Sequence, residues 1–103
     1  MHVEILPIQY KVYIPTALMD SLKDCEYYEQ LMQNGGTIYT GTGVWRGEEE
    51  SVSVHEIFST TDYSKIISNL AQYMLDLGQE AVLTTTEGLP RLFTDGDSMG
   101  RRF

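Results

Sequence analysis

The chain has 103 residues, enough for one domain with a small hydrophobic core. Its 15 acidic and 7 basic residues give a formal net charge of −8, which argues against phosphate-mediated nucleic-acid binding and favours a cationic ligand or basic partner. The single cysteine, Cys25, excludes an intrachain disulfide, and the lack of a signal peptide or long apolar run predicts a cytoplasmic protein without membrane contact.

The N-terminal third of the chain predicts a strand followed by a helix. Residues 8–14 alternate between apolar and polar as a strand does, and Pro15 ends this segment. Residues 16–33 have the apolar spacing of an amphipathic helix, and a shorter helix starting at Asp20 is the alternative. Residues 34–36, Asn-Gly-Gly, tolerate positive φ and should end the helix.

The middle of the chain predicts a β-hairpin. Thr37–Trp45 has the composition of a strand, although Gly41 and Gly43 indicate a bulge or a close backbone approach. Residues 46–50 are strongly charged and are predicted as a solvated loop rather than a metal site. Residues 51–58 should return as the partner strand.

The C-terminal part predicts a helix, a strand and a tail. Residues 63–77 carry an apolar stripe and are followed by Gly78, a typical helix-ending residue. Residues 80–86 are rich in β-formers, and residues 91–93 are a candidate for a short extra strand. Residues 94–103 are expected to form a flexible tail.

This order of elements predicts an α+β domain over residues 1–93 with the ferredoxin-like βαββαβ plan. Both helices would pack on one face of a four-stranded antiparallel sheet and leave the other face bare. Because the strands carry apolar groups on both sides, the bare face calls for a partner. Self-association through the sheet, as in a trimer, is the simplest solution.

Glu56 interrupts an apolar strand pattern. Strand alternation places Val52, Val54, Glu56 and Phe58 on one face and Ser53, His55 and Ile57 on the other. Burial of a carboxylate costs several kcal/mol unless the group is paired, hydrogen-bonded or neutral. Glu56 is therefore either a functional carboxylate or a residue near the strand end that reaches water or a basic partner.

Other residues have a functional and a structural interpretation. Trp45, the only tryptophan, is a core or rim anchor or a stacking platform beside a pocket, and Tyr39 is an aromatic candidate with a polar tip. Gln79 and Glu80 either supply polar groups at the mouth of the last strand or form a plain connection. His55 is predicted to be exposed or at an interface.

Three segments together resemble a known family. Residues 41–51 read as the hairpin of a small PII-like protein, residues 52–57 as its central strand with an embedded glutamate, and residues 70–72 with 78–83 as its second helix and final strand. The combination resembles the phage-encoded S-adenosylmethionine lyases, which are small homotrimers with a PII-like, ferredoxin-like fold. The connection between strands two and three is shorter than the nucleotide-responsive loop of PII signalling proteins.

The resemblance implies cleavage of S-adenosylmethionine to 5′-methylthioadenosine and homoserine lactone at subunit interfaces, without a metal or cofactor. The family's strand glutamate maps onto Glu56, which would be catalytic by binding the substrate ammonium directly or through water. Such an activity would deplete the methyl donor of restriction-modification enzymes in a host cytoplasm. Substrate-binding residues are then expected at Tyr39, Gly41, Gly43, Trp45, Gln79 and Glu80.

Two other functions fit the same sequence. The first is a non-catalytic PII-like module that binds a nucleotide or an adenosyl compound at the subunit clefts. The second is a small acidic interaction protein, such as an enzyme inhibitor, that binds another chain through its bare sheet face. Arg101 and Arg102 either complete a neighbour's site or are solvated.

Overall fold

The computed structural model describes residues 1–94. Of the flexible tail predicted over residues 94–103, Thr94 belongs instead to the last strand, and residues 95–103 lie outside the described residues. The elements confirm an α+β domain. In chain order they are β1 (Ile8–Pro15), a 3₁₀-helix (Thr16–Leu22), α1 (Glu26–Met32), β2 (Thr37–Trp45), β3 (Glu48–Ser59), α2 (Ser64–Asp76), β4 (Ala81–Thr86) and β5 (Leu89–Thr94).

The strands form one antiparallel sheet in the order β2-β3-β1-β4-β5. The prediction of four strands is wrong, because the short extra segment expected at residues 91–93 is a full edge strand, β5, paired along the whole of β4. Glu87 and Gly88, with φ of 52° and 79°, join the two strands in a two-residue turn. Two positive φ angles match the right-handed twist of a tight hairpin, which explains how so short a connection brings β5 back onto the sheet.

A second two-residue turn corrects the predicted charged loop. Arg46 and Gly47, with φ of 54° and 80°, connect Trp45 directly to its partner Glu48. The acidic segment 48–50 is therefore the first part of β3 and not a loop. Its charges are tolerated in a strand because this part of the hairpin is exposed to solvent.

The predicted helix over residues 16–33 is interrupted. The chain forms a 3₁₀-helix up to Leu22 and starts α1 at Glu26, with Cys25 extended at the N-cap (φ −85°, ψ 116°). The break lets both Leu22 and Cys25 lie fully inside the core, at 0% and 2% exposure, which confirms the interpretation of Cys25 as a small buried hydrophobe.

The helices pack on one face of the sheet, and the hydrophobic core lies between the two layers. Among residues 1–94, none of the helices combines the length and apolar character needed to cross a bilayer. The strands contribute Tyr10, Val12, Ile14, Ile57 and Val82 to the core, and the helical layer contributes Leu22, Leu31, Ile67, Leu70, Ala71 and Met74.

The predicted alternation along β3 is confirmed. The face with Val52, Val54 and Phe58 is the more apolar one in sequence, but the opposite face packs against the helices. His55 and Ile57 are 0% and 1% exposed and face the helices, whereas Phe58, on the face of Glu56, is 50% exposed. The prediction of an exposed or interfacial His55 is therefore wrong. The Tyr28 hydroxyl lies 2.8 Å from Nε2, and the Ser53 carbonyl lies 3.3 Å from Nδ1, so the ring meets its polar partners inside the core.

Candidate functional site

The sheet face that no helix covers, called the open face below, carries both the candidate carboxylate and several exposed apolar groups. The strand registers place Lys11 and Tyr13 of β1 beside Glu56 and Val54 of β3 on this face, with Tyr39 of β2 next to Val54. Single exposed apolar residues are ordinary, but several of them on one face of a sheet indicate a surface that contacts a ligand or partner. The large hydrophobic residues exposed there are Tyr39, Trp45, Phe58, Leu83 and Leu92.

One end of the open face contains a cavity of about 510 Å³. It exists because β3 is longer than its neighbour: β1 pairs with β3 only as far as Val52, and the β2–β3 hairpin continues beyond it. Tyr13, Val54 and Leu83 contribute to the mostly apolar lining. A volume of this size lies within the range of small-molecule sites, roughly 300–1,000 Å³.

Glu80 fastens the hairpin tip to the connection between α2 and β4. The Trp45 indole Nε1 donates a hydrogen bond of 3.0 Å to Glu80 Oε2, and Arg46 Nη2 lies 2.9 Å from Glu80 Oε1. The Arg46 guanidinium also lies 5.7 Å from the centre of the Trp45 ring. These contacts hold the indole at the cavity, and Trp45 is 39% exposed there.

The glycines of β2 line the cavity without forming a bulge. The pairing of β2 with β3 runs uninterrupted from Thr37–Glu56 to Trp45–Glu48, so the bulge suggested by Gly41 and Gly43 is absent from this ladder. A Cβ at Gly43 would lie 3.1 Å from Val52 Cγ1, whereas one at Gly41 would lie 3.7 Å away from Val52 Cγ2. The close approach of Val52 to β2 therefore requires glycine at position 43 but not at position 41.

Glu56 lies on the open face outside the cavity lining, in a polar cluster further along β3. Its Oε2 lies 3.6 Å from Lys11 Nζ and accepts a hydrogen bond of 3.0 Å from Gln9 Nε2. Tyr39, followed by Tyr13 and Glu56, raises the pKa of Lys11 above its usual value against the opposing effect of burial. The structure therefore gives Glu56 the basic partner that the alternative interpretation required.

The structure brings five of the seven predicted site residues together. Gly41, Gly43, Trp45, Gln79 and Glu80 line the cavity, whereas Tyr39 and Glu56 do not. Sequence reasoning missed Glu48, Glu49 and Glu50 at the rim of the cavity, because it predicts a loop over residues 46–50. It also missed the contribution of Leu92, which depends on the full length of β5. The acidic residues in the lining are Glu48, Glu49, Glu50 and Glu80.

Within residues 1–94, no group of three or more His, Cys, Asp or Glu side chains is arranged to hold a metal ion. No family model matches the chain, and searches of curated proteins and of solved structures give no match either.

Proposed function

We propose that the chain is an S-adenosylmethionine lyase that binds its substrate in the cavity on the open face. The observation that carries the proposal is a mostly apolar cavity of about 510 Å³ with carboxylates at its rim and the Trp45 indole in its wall. S-adenosylmethionine has an aromatic base, a sulfonium and an ammonium. Apolar and aromatic surface suits the base, and carboxylates with an aromatic ring suit the cationic groups.

The reaction needs little from the protein beyond binding in the right shape. A carboxylate oxygen of the substrate attacks its own carbon next to the sulfonium, and the carbon–sulfur bond breaks with its electron pair going to sulfur. The products are homoserine lactone and the neutral thioether 5′-methylthioadenosine, so no protein nucleophile, redox partner or added proton is required. Holding the methionine part folded would supply proximity and orientation, which are worth several kcal/mol in intramolecular reactions.

We assign the assembly to a homotrimer with the ferredoxin-like, PII-like plan, closed through the open faces. The order β2-β3-β1-β4 within the five-stranded sheet, with the helices packed on one face, supports this plan. Exposed Phe58, Leu83 and Leu92 on the open face support association through it. In that arrangement Glu56 of one subunit would face a neighbour's cavity and bind the substrate ammonium, exchanging its contact with Lys11 for one with substrate.

The proposal is tested by incubating the purified protein with S-adenosylmethionine and separating the products by liquid chromatography with mass detection. Methylthioadenosine and homoserine lactone should appear in equal amounts above a protein-free control. A variant in which Glu29, on the surface of α1, is replaced by glutamine is a matched control and should retain the activity. Substrate that remains unchanged in the presence of folded protein would overturn the lyase assignment.

A non-catalytic binding module is the second candidate. It is favoured by the ion pair with Lys11, which accounts for the position of Glu56 without any substrate. Equilibrium dialysis with S-adenosylmethionine and with ATP distinguishes this candidate from the first. Saturable retention of either compound without product formation would support the binding module.

A further inference from the structure

The outer side of β2 offers unpaired backbone groups to another strand. β2 is the first strand of the sheet, so within residues 1–94 only its β3 side is paired. Trp45 and Glu48 flank a two-residue turn and therefore form a hydrogen-bonded pair, a pattern that recurs at every second residue. The residues in between direct their backbone N–H and C=O groups away from β3, and they are Ile38, Thr40, Thr42 and Val44. Such a row is a template for a further strand.

The two edges of the sheet differ in their protection against a further strand. β5 forms the opposite edge, and its own two-residue turn places Pro90 among the outward-facing residues, where it has no N–H to donate. Arg91 adds a charge to the same strand. The nine residues of β2 include neither a proline nor a charged side chain. Copies of the chain can therefore join at β2 but not at β5, so that the sheet closes as a pair and does not grow into a filament.

A second copy of β2 fits this edge in antiparallel register. With a two-fold axis normal to the sheet at Gly41, each outward-facing residue meets an outward-facing residue of the partner subunit. The resulting pairs are Ile38 with Val44 and Thr40 with Thr42. Ile38 and Val44 are 51% and 66% exposed in the single chain, so the pairing would cover two apolar side chains of each copy.

The glycines of β2 fit the same register. A Cβ at Gly41 would lie 3.7 Å from Val52 Cγ2, an ordinary contact, so the packing within one chain does not require glycine there. At the two-fold axis the two copies of Gly41 face each other, and a glycine often marks the place where another backbone approaches. Gly43 stands opposite Tyr39 of the partner subunit, where a glycine leaves room for an aromatic ring. Because Gly43 lines the cavity, the partner's Tyr39 stands at the outer wall of that cavity.

The distribution of charge favours this contact between copies. Each copy has a formal net charge of −8, so most of its surface repels a second copy, whereas β2 is uncharged. The two-fold axis points the two hairpin tips in opposite directions, which keeps the acidic segments 48–50 apart. It also leaves both open faces free on the same side for the proposed trimer. Because each copy contributes one strand, this contact is the weaker of the two and should grow with protein concentration.

We propose that two copies of the chain pair along β2 about a two-fold axis at Gly41, and that Tyr39 of the partner subunit completes the outer wall of each cavity. The two five-stranded sheets then form one continuous sheet. This inference does not rest on the lyase activity, because the pairing of β2 is measured without substrate.

Disulfide formation between copies of a Gly41→Cys variant tests the position of the axis. Directly opposite residues that are not hydrogen-bonded to each other have Cα atoms about 4.5 Å apart, within the range of a disulfide. Under mild oxidation this variant should form covalent dimers about five-fold faster or more than Leu89→Cys, a control at an exposed position of β5. Cys25 is buried and common to both proteins. Equal rates for the two variants would overturn the pairing.

Neighbouring positions on β2 test the register. Thr40 and Thr42 each face the other residue of the partner subunit, so Thr40→Cys and Thr42→Cys should crosslink more slowly than Gly41→Cys. A faster reaction of either variant would overturn the register and the place of Tyr39 at the cavity.

A proline tests the backbone pairing itself. Adding Thr40→Pro to Gly41→Cys removes an N–H that β3 does not use, so the circular dichroism spectrum should be retained while the yield of dimer falls about five-fold. A dimer yield that persists in this folded double variant would overturn the addition of a strand at β2.

Discussion

Lys11 and Glu56 stand directly opposite each other on β1 and β3, with Lys11 Nζ 3.6 Å from Glu56 Oε2 on the sheet face that no helix covers. This cross-strand pair explains how a carboxylate occurs in phase with Val54 and Phe58. The side chains are only 28% and 21% exposed, and Gln9 donates a further hydrogen bond to the carboxylate. The Glu56 carboxylate thus has a cationic partner within its own chain, and it lies on the sheet face proposed to contact a neighbouring subunit.

Replacement of Glu56 by glutamine tests its catalytic assignment. The amide keeps the shape of the side chain and removes its charge, so we expect a loss of less than about 1 kcal/mol in folding stability. Formation of methylthioadenosine should fall about 100-fold or more, as expected for the loss of one charged group that binds the reacting molecule. Urea unfolding and product analysis measure the two effects separately. A Glu56→Gln protein with full turnover would remove Glu56 from the mechanism.

Two glycines of β2 should respond differently to alanine. At Gly43 the new methyl group would lie 3.1 Å from Val52 Cγ1, so the strand or Val52 must shift, whereas at Gly41 the nearest atom would be 3.7 Å away in ordinary contact. We expect Gly43→Ala to destabilise the fold by about 1–3 kcal/mol. Gly41→Ala should cost less or be neutral. Chemical denaturation of both variants decides the matter, and equal stabilities would contradict the close approach at Gly43.

A glutamate introduced on the open face should prevent assembly. Leu83 is 38% exposed on that face, so Leu83→Glu would place a charge inside the proposed trimer interface. Leu89 is 71% exposed on the other face of the sheet, so Leu89→Glu is the matched control and should remain trimeric. Sedimentation velocity distinguishes the two outcomes. An unchanged mass for Leu83→Glu, or a monomeric native chain, would argue against association through the open face.

The sequence predicted the order of the helices and strands better than their boundaries or the sheet face that the helices cover. Alternation in residues 51–58 gave the correct division of side chains between two faces, because a strand has a period of two whatever covers it. It did not tell which face the helices cover, since β3 is apolar on both sides and its core face includes His55. The cavity could not be predicted from the sequence, because it depends on how far β3 extends beyond β1 and on the contact between Trp45 and Glu80.

Burial of His55 makes folding stability depend on pH near neutrality. The ring is 0% exposed, and burial lowers its pKa below the usual value of 6.5, with the Ser53 carbonyl opposing this effect. The Nδ1 contact to that carbonyl and the Tyr28 hydroxyl at Nε2 fit a neutral ring that donates from Nδ1 and accepts at Nε2. The folded state therefore takes up the proton less readily than the unfolded chain.

The sign of the effect follows from this difference in proton uptake. Above about pH 6.5 both states hold a neutral His55 and its contribution is fully present, whereas below it the unfolded chain gains a proton that the folded chain resists. As the pH is lowered below about 6.5, the free energy of unfolding should therefore fall by up to about 1.4 kcal/mol for each pH unit. Urea unfolding between about pH 5.5 and 7.5, at fixed protein concentration, measures this slope. His55→Gln should flatten it and His2→Gln, at an exposed position, should not; a slope that persists in His55→Gln would assign the pH dependence to another group.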